Sequence, residues 1–182
     1  MILAVDSDGG IGKNGCLPWH IPGELKYFKS YTKGHTCVMG RTTYEDIKAF
    51  KKTSDGPLLP NRSCIVFTRD IRTIEDSNTY ANVFFNDNPK YVLDMLTLAK
   101  RSYGVNALNF CIIGGKSIYE MFSKSDVVDE ISVTFVSGSY DCDTFIDVDA
   151  LTKNHEIVST NPGSDLWNVR VYRRKNEKRK IF

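Results

Sequence analysis

Apolar and polar positions fall along this chain in short blocks whose order predicts alternating strands and helices. Residues 2–6, ILAVD, are an apolar run ending in the turn residues Asp6-Ser7-Asp8-Gly9-Gly10, which predicts a buried first strand and then a loop. The loop runs on to Trp19 with glycines at 9, 10, 12 and 15. A helix is predicted over 23–32. Pro22 suits its first position, Glu24 sits in the turn where the helix dipole favours an acid, and Leu25, Phe28 and Thr32 share a face. Strands are predicted at Thr36–Met39, Ser63–Thr68, 82–86, Asn109–Ile113, 130–137 and 166–173. A helix follows Gly40, another carries Val92, Leu93, Leu96 and Ala99 on one side, and a third opens at Gly114-Gly115-Lys116-Ser117. Residues 48–61 and the Asp143-Thr144-Phe145 segment are predicted as loops. The order implies an α/β fold with a central, mainly parallel sheet and an antiparallel edge strand at its C-terminal end.

Composition adds limits. The 182 residues suit one domain, and no apolar run approaches the roughly 18 residues of a membrane span. The start MILAVDSDGG lacks a basic region and cleavage site, so a cytoplasmic location is expected. Cys16, Cys37, Cys64, Cys111 and Cys142 show no CxxC pair and no histidine spacing, which argues for reduced thiols and against a metal site. Cys16 lies in the glycine loop with no base beside it in sequence, so it is not read as a nucleophile. A net charge of +2 gives no overall pull toward nucleic acid. The exception is the basic stretch Arg173-Arg174-Lys175-Asn176-Glu177-Lys178-Arg179-Lys180, read as a solvated tail over 175–182.

Candidate chemistry gathers in four places. Glu24, beside the apolar Leu25 and Phe28, is either a solvated first-turn charge or an acid in a dry pocket that orients a polar heterocycle. Gly40-Arg41-Thr42-Thr43, between a strand and a helix, is either an anion site or an ordinary N-cap. Arg69, just past a strand's carboxyl end, lies where open α/β sheets bind ligands. Gly114-Gly115 lets backbone approach a ligand at a helix start, yet fits neither GxGxxG nor GxxxxGK[ST].

Taken together, Ile11-Gly12, Leu17-Pro18-Trp19, the acid five residues beyond, Met39-Gly40-Arg41-Thr42-Thr43, Leu59-Pro60-Asn61-Arg62, Ile113-Gly114-Gly115 with Tyr119, and Asp143-Thr144-Phe145 closely resemble the dihydrofolate reductase family, in its order, from Ala4 to the final strand. The resemblance implies a single dihydrofolate reductase-like domain over 1–174 with helices on both faces of the sheet. It implies NADPH as cofactor and dihydrofolate as substrate, with hydride transfer to C6 and a water-carried proton to N5, supplying one-carbon metabolism and thymidylate synthesis. Glu24, Trp19 and Thr134 would be catalytic, with Thr134 hydrogen-bonded to the acid. Ala4, Val5, Leu25, Phe28, Ile47, Leu59, Arg62, Ile113 and Tyr119 would complete the substrate site, Arg62 gripping the glutamate carboxylate. Ala4, Ile11, Gly12, Gly40, Arg41, Thr42, Thr43, Thr68, Arg69, Gly114, Gly115, Lys116, Ser117 and Ile118 would hold the cofactor, with Arg69 at the 2′-phosphate and a cis Gly114–Gly115 bond.

The same resemblance implies binding of antifolates and a monomer, and the composition adds the expectation of no metal, membrane or nucleic-acid partner. Two features depart from the family's pattern: the segment between Ile47 and Leu59 is longer than in compact bacterial members, and Asn61 replaces a glycine. Competing readings are the related reductase domain of riboflavin synthesis, which works on a pyrimidine, and a non-catalytic folate-binding protein on the same fold.

Overall fold

A computed structural model describes residues 1–51, 55–72, 80–103 and 109–175. In chain order these form β1 (Ile2–Val5), β2 (Gly10–Gly12), α1 (Pro22–Thr32), β3 (Thr36–Gly40), α2 (Arg41–Lys51), β4 (Ser63–Phe67), β5 (Val83–Asn86), α3 (Pro89–Tyr103), β6 (Phe110–Gly114), α4 (Lys116–Ser123), β7 (Glu130–Val136), β8 (Thr144–Phe145), α5 (Val148–Thr152), β9 (His155–Ser164) and β10 (Trp167–Arg174).

One group of strands is ordered β5-β4-β3-β6, all parallel, and the other β1-β7-β10-β9. β1 and β7 are parallel, with Ala4 opposite Thr134, while β10 runs antiparallel to both β7 and β9. The two-residue period of the strands divides the core. Leu3, Val5, Val38, Phe67 and Ile112 point into one apolar cluster with Leu96 of α3 and Ile118 and Phe122 of α4. Ile2, Cys37, Met39, Cys64, Val66, Cys111 and Ile113 point into the other, with Tyr44 of α2 and, at its margin, Tyr27, Phe28 and Tyr31 of α1. Helices thus cover both faces, as a mainly parallel sheet requires.

Four differences from the sequence expectations have physical reasons. The lysine-rich stretch expected as loop from residue 48 begins as helix, since α2 continues to Lys51; Lys48 and Lys51 suit a helix's negative end, and 52–54 lie outside the described residues. Thr144–Phe145, expected as loop, forms β8 and pairs with β2; both are too short to leave a periodic signal. The antiparallel end has two strands, since β9 lies outside β10. β9 is exposed from Glu156 to Ser164 and contains Pro162, which only an edge strand tolerates, so its pattern shows no buried face. α5 is a further element, five residues long and capped by Asp147, whose carboxylate accepts the Ala150 N–H.

Candidate active site

The carboxyl ends of β3 and β6, adjacent parallel strands, deliver two helix N-termini to one side of the sheet. β3 ends at Gly40 and passes directly into α2; β6 ends at Gly114, and Gly115 leads into α4 with no side-chain cap. The chain must be bare at Gly114, where φ is +150° and a Cβ would lie 2.6 Å from Thr43 Oγ1; at Gly40 a Cβ would meet Ile118 only at an ordinary contact of 3.4 Å. The Gly114–Gly115 peptide is cis. Two helix starts, that of α4 without a side-chain cap, flanked by Thr42, Thr43 and Ser117, suit a phosphate-bearing ligand.

These termini open into a cleft of about 1650 Å³. Arg41, Arg69 and Lys116 supply positive charge along it. Arg41 lies 3.6 Å from Asp70 and 3.9 Å from Glu45, Lys116 lies 3.9 Å from Glu120, and Arg69 is exposed with no ion pair among the described residues. Thr68 is buried, and its hydroxyl accepts the Asp70 N–H at 3.2 Å, fixing the turn that carries Arg69.

Glu24 lies deeper in the cleft. Pro22 opens α1 after Ile21, and the first turn swings Glu24 inward until only 5% of it is exposed. No group among the described residues donates a hydrogen bond to its carboxylate. Burial alone raises its pKa to about 7, because the charged form loses its water without gaining a partner. Trp19, buried against Val136 and edge-on to Tyr140 at 5.4 Å, has an indole N–H that also lacks a partner. Two polar groups left unsatisfied in one apolar cleft define a place for a polar ligand or water.

The outer end of the cleft is walled by Leu25, Phe28, Ile47, Leu58 and Leu59 and carries Arg62. The Arg62 Nη1 donates to Thr32 Oγ1 at 2.8 Å and its Nε to the Pro60 carbonyl at 3.1 Å, which orients the guanidinium and leaves Nη2 for a ligand. Thr32 is itself tied to the Phe28 carbonyl at 2.8 Å. Asn61 stands at φ +59°, a left-handed conformation that asparagine tolerates where a glycine was expected.

Most residues singled out in the sequence meet in this cleft. Ala4, Ile11, Gly12, Trp19, Glu24, Leu25, Phe28, Gly40, Arg41, Thr42 and Thr43 line it from the amino-terminal half. Ile47, Leu59, Arg62, Thr68, Arg69, Ile113, Gly114, Gly115, Lys116, Ser117, Ile118 and Tyr119 line it from the rest. Two do not. The Val5 side chain points to the opposite face, into the cluster under α4, because it follows Ala4 in a strand. Thr134 is fully buried in β7 beside Ala4, and its hydroxyl has no partner among the described residues, so the hydrogen bond expected to Glu24 is not formed.

Sequence reasoning missed Thr32, which holds Arg62, and Tyr140, which packs on Trp19. It also missed Asp6, a buried carboxylate that accepts N–H groups of Asp8, Gly10 and Tyr140 at 2.9, 2.7 and 3.1 Å. Asp143 accepts the Asn14 N–H at 2.6 Å and the Thr144 hydroxyl at 2.8 Å, tying the glycine loop to β8. Cys16 lines the cleft, and its bond to Asp46 pushes the thiol up, away from the reactive thiolate. Among the described residues no group of side chains could hold a metal, and no helix is long and apolar enough to cross a membrane.

A family profile described as dihydrofolate reductase matches residues 1–174. A dihydrofolate reductase type 8 from Escherichia coli is 32% identical over 159 residues, covering 85% of this chain and 83% of its own. The dihydrofolate reductase of Ureaplasma parvum is 31% identical over 171 residues, 94% of each chain. A bifunctional dihydrofolate reductase-thymidylate synthase from Zea mays is 32% identical over 157 residues, but this chain spans only 28% of its length. Among solved structures, a dihydrofolate reductase from Enterococcus faecalis complexed with NADP(H) and RAB-propyl superposes with a TM-score of 0.68 at 28% identity, covering 96% of this chain and 95% of that one. The chain belongs to the dihydrofolate reductase family, and it is an enzyme that reduces dihydrofolate with NADPH.

Proposed function

We propose that Glu24 is the anchor of the substrate's pteridine ring and, with Trp19, the organiser of its proton supply. The observation that carries this reading is the buried, partnerless Glu24 carboxylate with a pKa raised to about 7. A pteridine offers an N3–H and a 2-amino group side by side, and an ionised carboxylate accepts both in two charge-assisted hydrogen bonds. The bonds restore what burial removed, so the same group that is costly in the free enzyme becomes a strong ligand in the complex. Phe28 packs on the ring system, and Leu25, Ile47 and Leu59 exclude water from it. Arg62, oriented by Thr32 and the Pro60 carbonyl, takes a carboxylate of the substrate's glutamate.

NADPH, when bound, would supply the hydride for C6. The residues that would hold it are glycines 40, 114 and 115 with Thr42, Thr43, Ser117 and Ile118, the cations Arg41, Arg69 and Lys116, and the Ile11-Gly12 loop with Ala4. Arg69 would take the 2′-phosphate. Glu24 sits at the N3 edge of the ring and cannot reach N5, so a water held near the Trp19 indole carries that proton. All these groups come from one chain, which supports action as a monomer with its catalytic domain over 1–174. The test is carbon NMR on protein labelled at glutamate carboxyls. One carboxyl, absent in Glu24→Gln, should titrate near pH 7 in the free enzyme and stay ionised over about pH 5–8 with methotrexate bound. A Glu24 signal titrating in the ordinary range, or one indifferent to the ligand, overturns the reading.

A further inference from the structure

We infer that Asn82 is a positioning residue for the glutamate end of the substrate, acting through Arg62. Asn82 stands outside the cleft, just before β5, and its backbone already serves β4 through the Cys64 N–H to Asn82 carbonyl bond of 2.8 Å. Its side-chain amide turns the other way, into the segment that carries Arg62. Oδ1 accepts the Leu58 N–H at 3.0 Å, while Nδ2 donates to the Leu59 carbonyl at 3.2 Å and to the Arg62 carbonyl at 2.8 Å. One amide thus holds both ends of the turn Leu59-Pro60-Asn61-Arg62. Only one orientation of the amide satisfies all three partners, since two are carbonyls and one is an N–H.

Besides the Asn82 amide, the turn has one outside backbone tie among the described residues, the Gly34 N–H to the Asn61 carbonyl at 3.1 Å, which leaves its two ends to Asn82. The turn contains Pro60, which has no N–H to give, and Asn61 in a left-handed conformation, and it stands between α2 and β4 with no ladder of its own. From it the Arg62 side chain reaches back to the Pro60 carbonyl and across to Thr32. The guanidinium is therefore fixed at its tip by Thr32 and at its root by Asn82. A two-pronged carboxylate contact is sensitive to small displacements of the fork, so loosening the root weakens binding of a carboxylate without touching the distant reacting atoms.

The inference rests on the reading of Arg62 as the glutamate-carboxylate ligand, and the experiment separates the two. Steady-state kinetics compare dihydrofolate with dihydropteroate, which shares the pterin and aminobenzoate but lacks the glutamate. With Asn82→Ala, KM for dihydrofolate should rise about ten-fold, with KM for dihydropteroate, KM for NADPH and kcat within about two-fold of the parent. Asn82→Asp, similar in size but unable to donate to two carbonyls, should give the same selective change and serves if the alanine variant folds poorly. In an Arg62→Leu background, Asn82→Ala should add nothing further. An equal rise on both substrates, a loss confined to kcat, or no change at all overturns the role of Asn82. If Arg62→Leu itself fails to discriminate the two substrates, it is the reading of Arg62 that falls.

Discussion

Replacing Glu24 by glutamine removes a charge from a place where the free enzyme gains nothing from it and the complex depends on it. In the free enzyme, burial moves the carboxyl from 4.5 to about 7. Between those values the folded protein keeps a proton that the unfolded chain releases. Stability is therefore fullest below about pH 4.5, falls as pH rises through this window, and levels off above about pH 7. At about 1.4 kcal/mol per tenfold in the proton equilibrium, the total is about 3 kcal/mol. A glutamine cannot ionise and escapes it. Relative to the parent, ligand-free Glu24→Gln should gain about 3 kcal/mol between about pH 4.5 and pH 8, or about 10 °C in Tm for a chain of this size. The pH dependence of the difference is the quantity to follow, since the buried amide adds a term of its own that does not titrate. Turnover should move the opposite way. Two charge-assisted hydrogen bonds at about 1.5 kcal/mol or more each amount to about a hundred-fold or more in kcat/KM for dihydrofolate. Thermal unfolding at the two pH values and an NADPH-oxidation assay measure both. A stability difference that is the same at both pH values, or parent-like kcat/KM, refutes the reasoning.

Other substitutions test the remainder of the site. Gly114→Ala forces a Cβ to within 2.6 Å of Thr43 Oγ1 from a backbone at φ +150°, so KM for NADPH should rise at least about ten-fold with the fold retained by circular dichroism. Asp143→Asn weakens the acceptor for the Asn14 N–H, and NADPH should dissociate faster in stopped-flow fluorescence while the Tm stays within a few degrees. The Asp143 carboxyl is held below its ordinary value chiefly by that N–H, so its hold on the glycine loop is complete above about pH 4 and lost as pH falls further. Asp6→Ala leaves three backbone N–H groups without their acceptor, and the Trp19 fluorescence should shift because Tyr140, one of those donors, packs on the indole.

The cleft was legible in the sequence because its residues are tied to local grammar. Gly40 and Gly114-Gly115 stand between an apolar run and a helix start, Pro22 and Glu24 open a helix, and Trp19 follows a proline. What escaped depends on contacts distant in sequence. Asn82 reaches the Leu58–Arg62 turn, Thr32 reaches Arg62 across 30 residues, and Asp6 receives Tyr140 from 134 residues away. No periodic pattern records such bonds. β9 escaped for another reason, since an edge strand exposed along nine of its ten residues has no buried face to alternate with. Thr134 illustrates the reverse error. The resemblance gave it a bond to the acid, and its position opposite Ala4 is as expected, but the hydroxyl stands alone in the core.

The most direct measurement is the loss of NADPH absorbance by the purified chain, with and without dihydrofolate, repeated with methotrexate and with Glu24→Gln. Oxidation that requires dihydrofolate, stops with the drug and falls about a hundred-fold in the variant is the predicted result. Dihydrofolate-dependent oxidation that survives unchanged in Glu24→Gln would contradict the claim that this buried carboxylate holds the substrate.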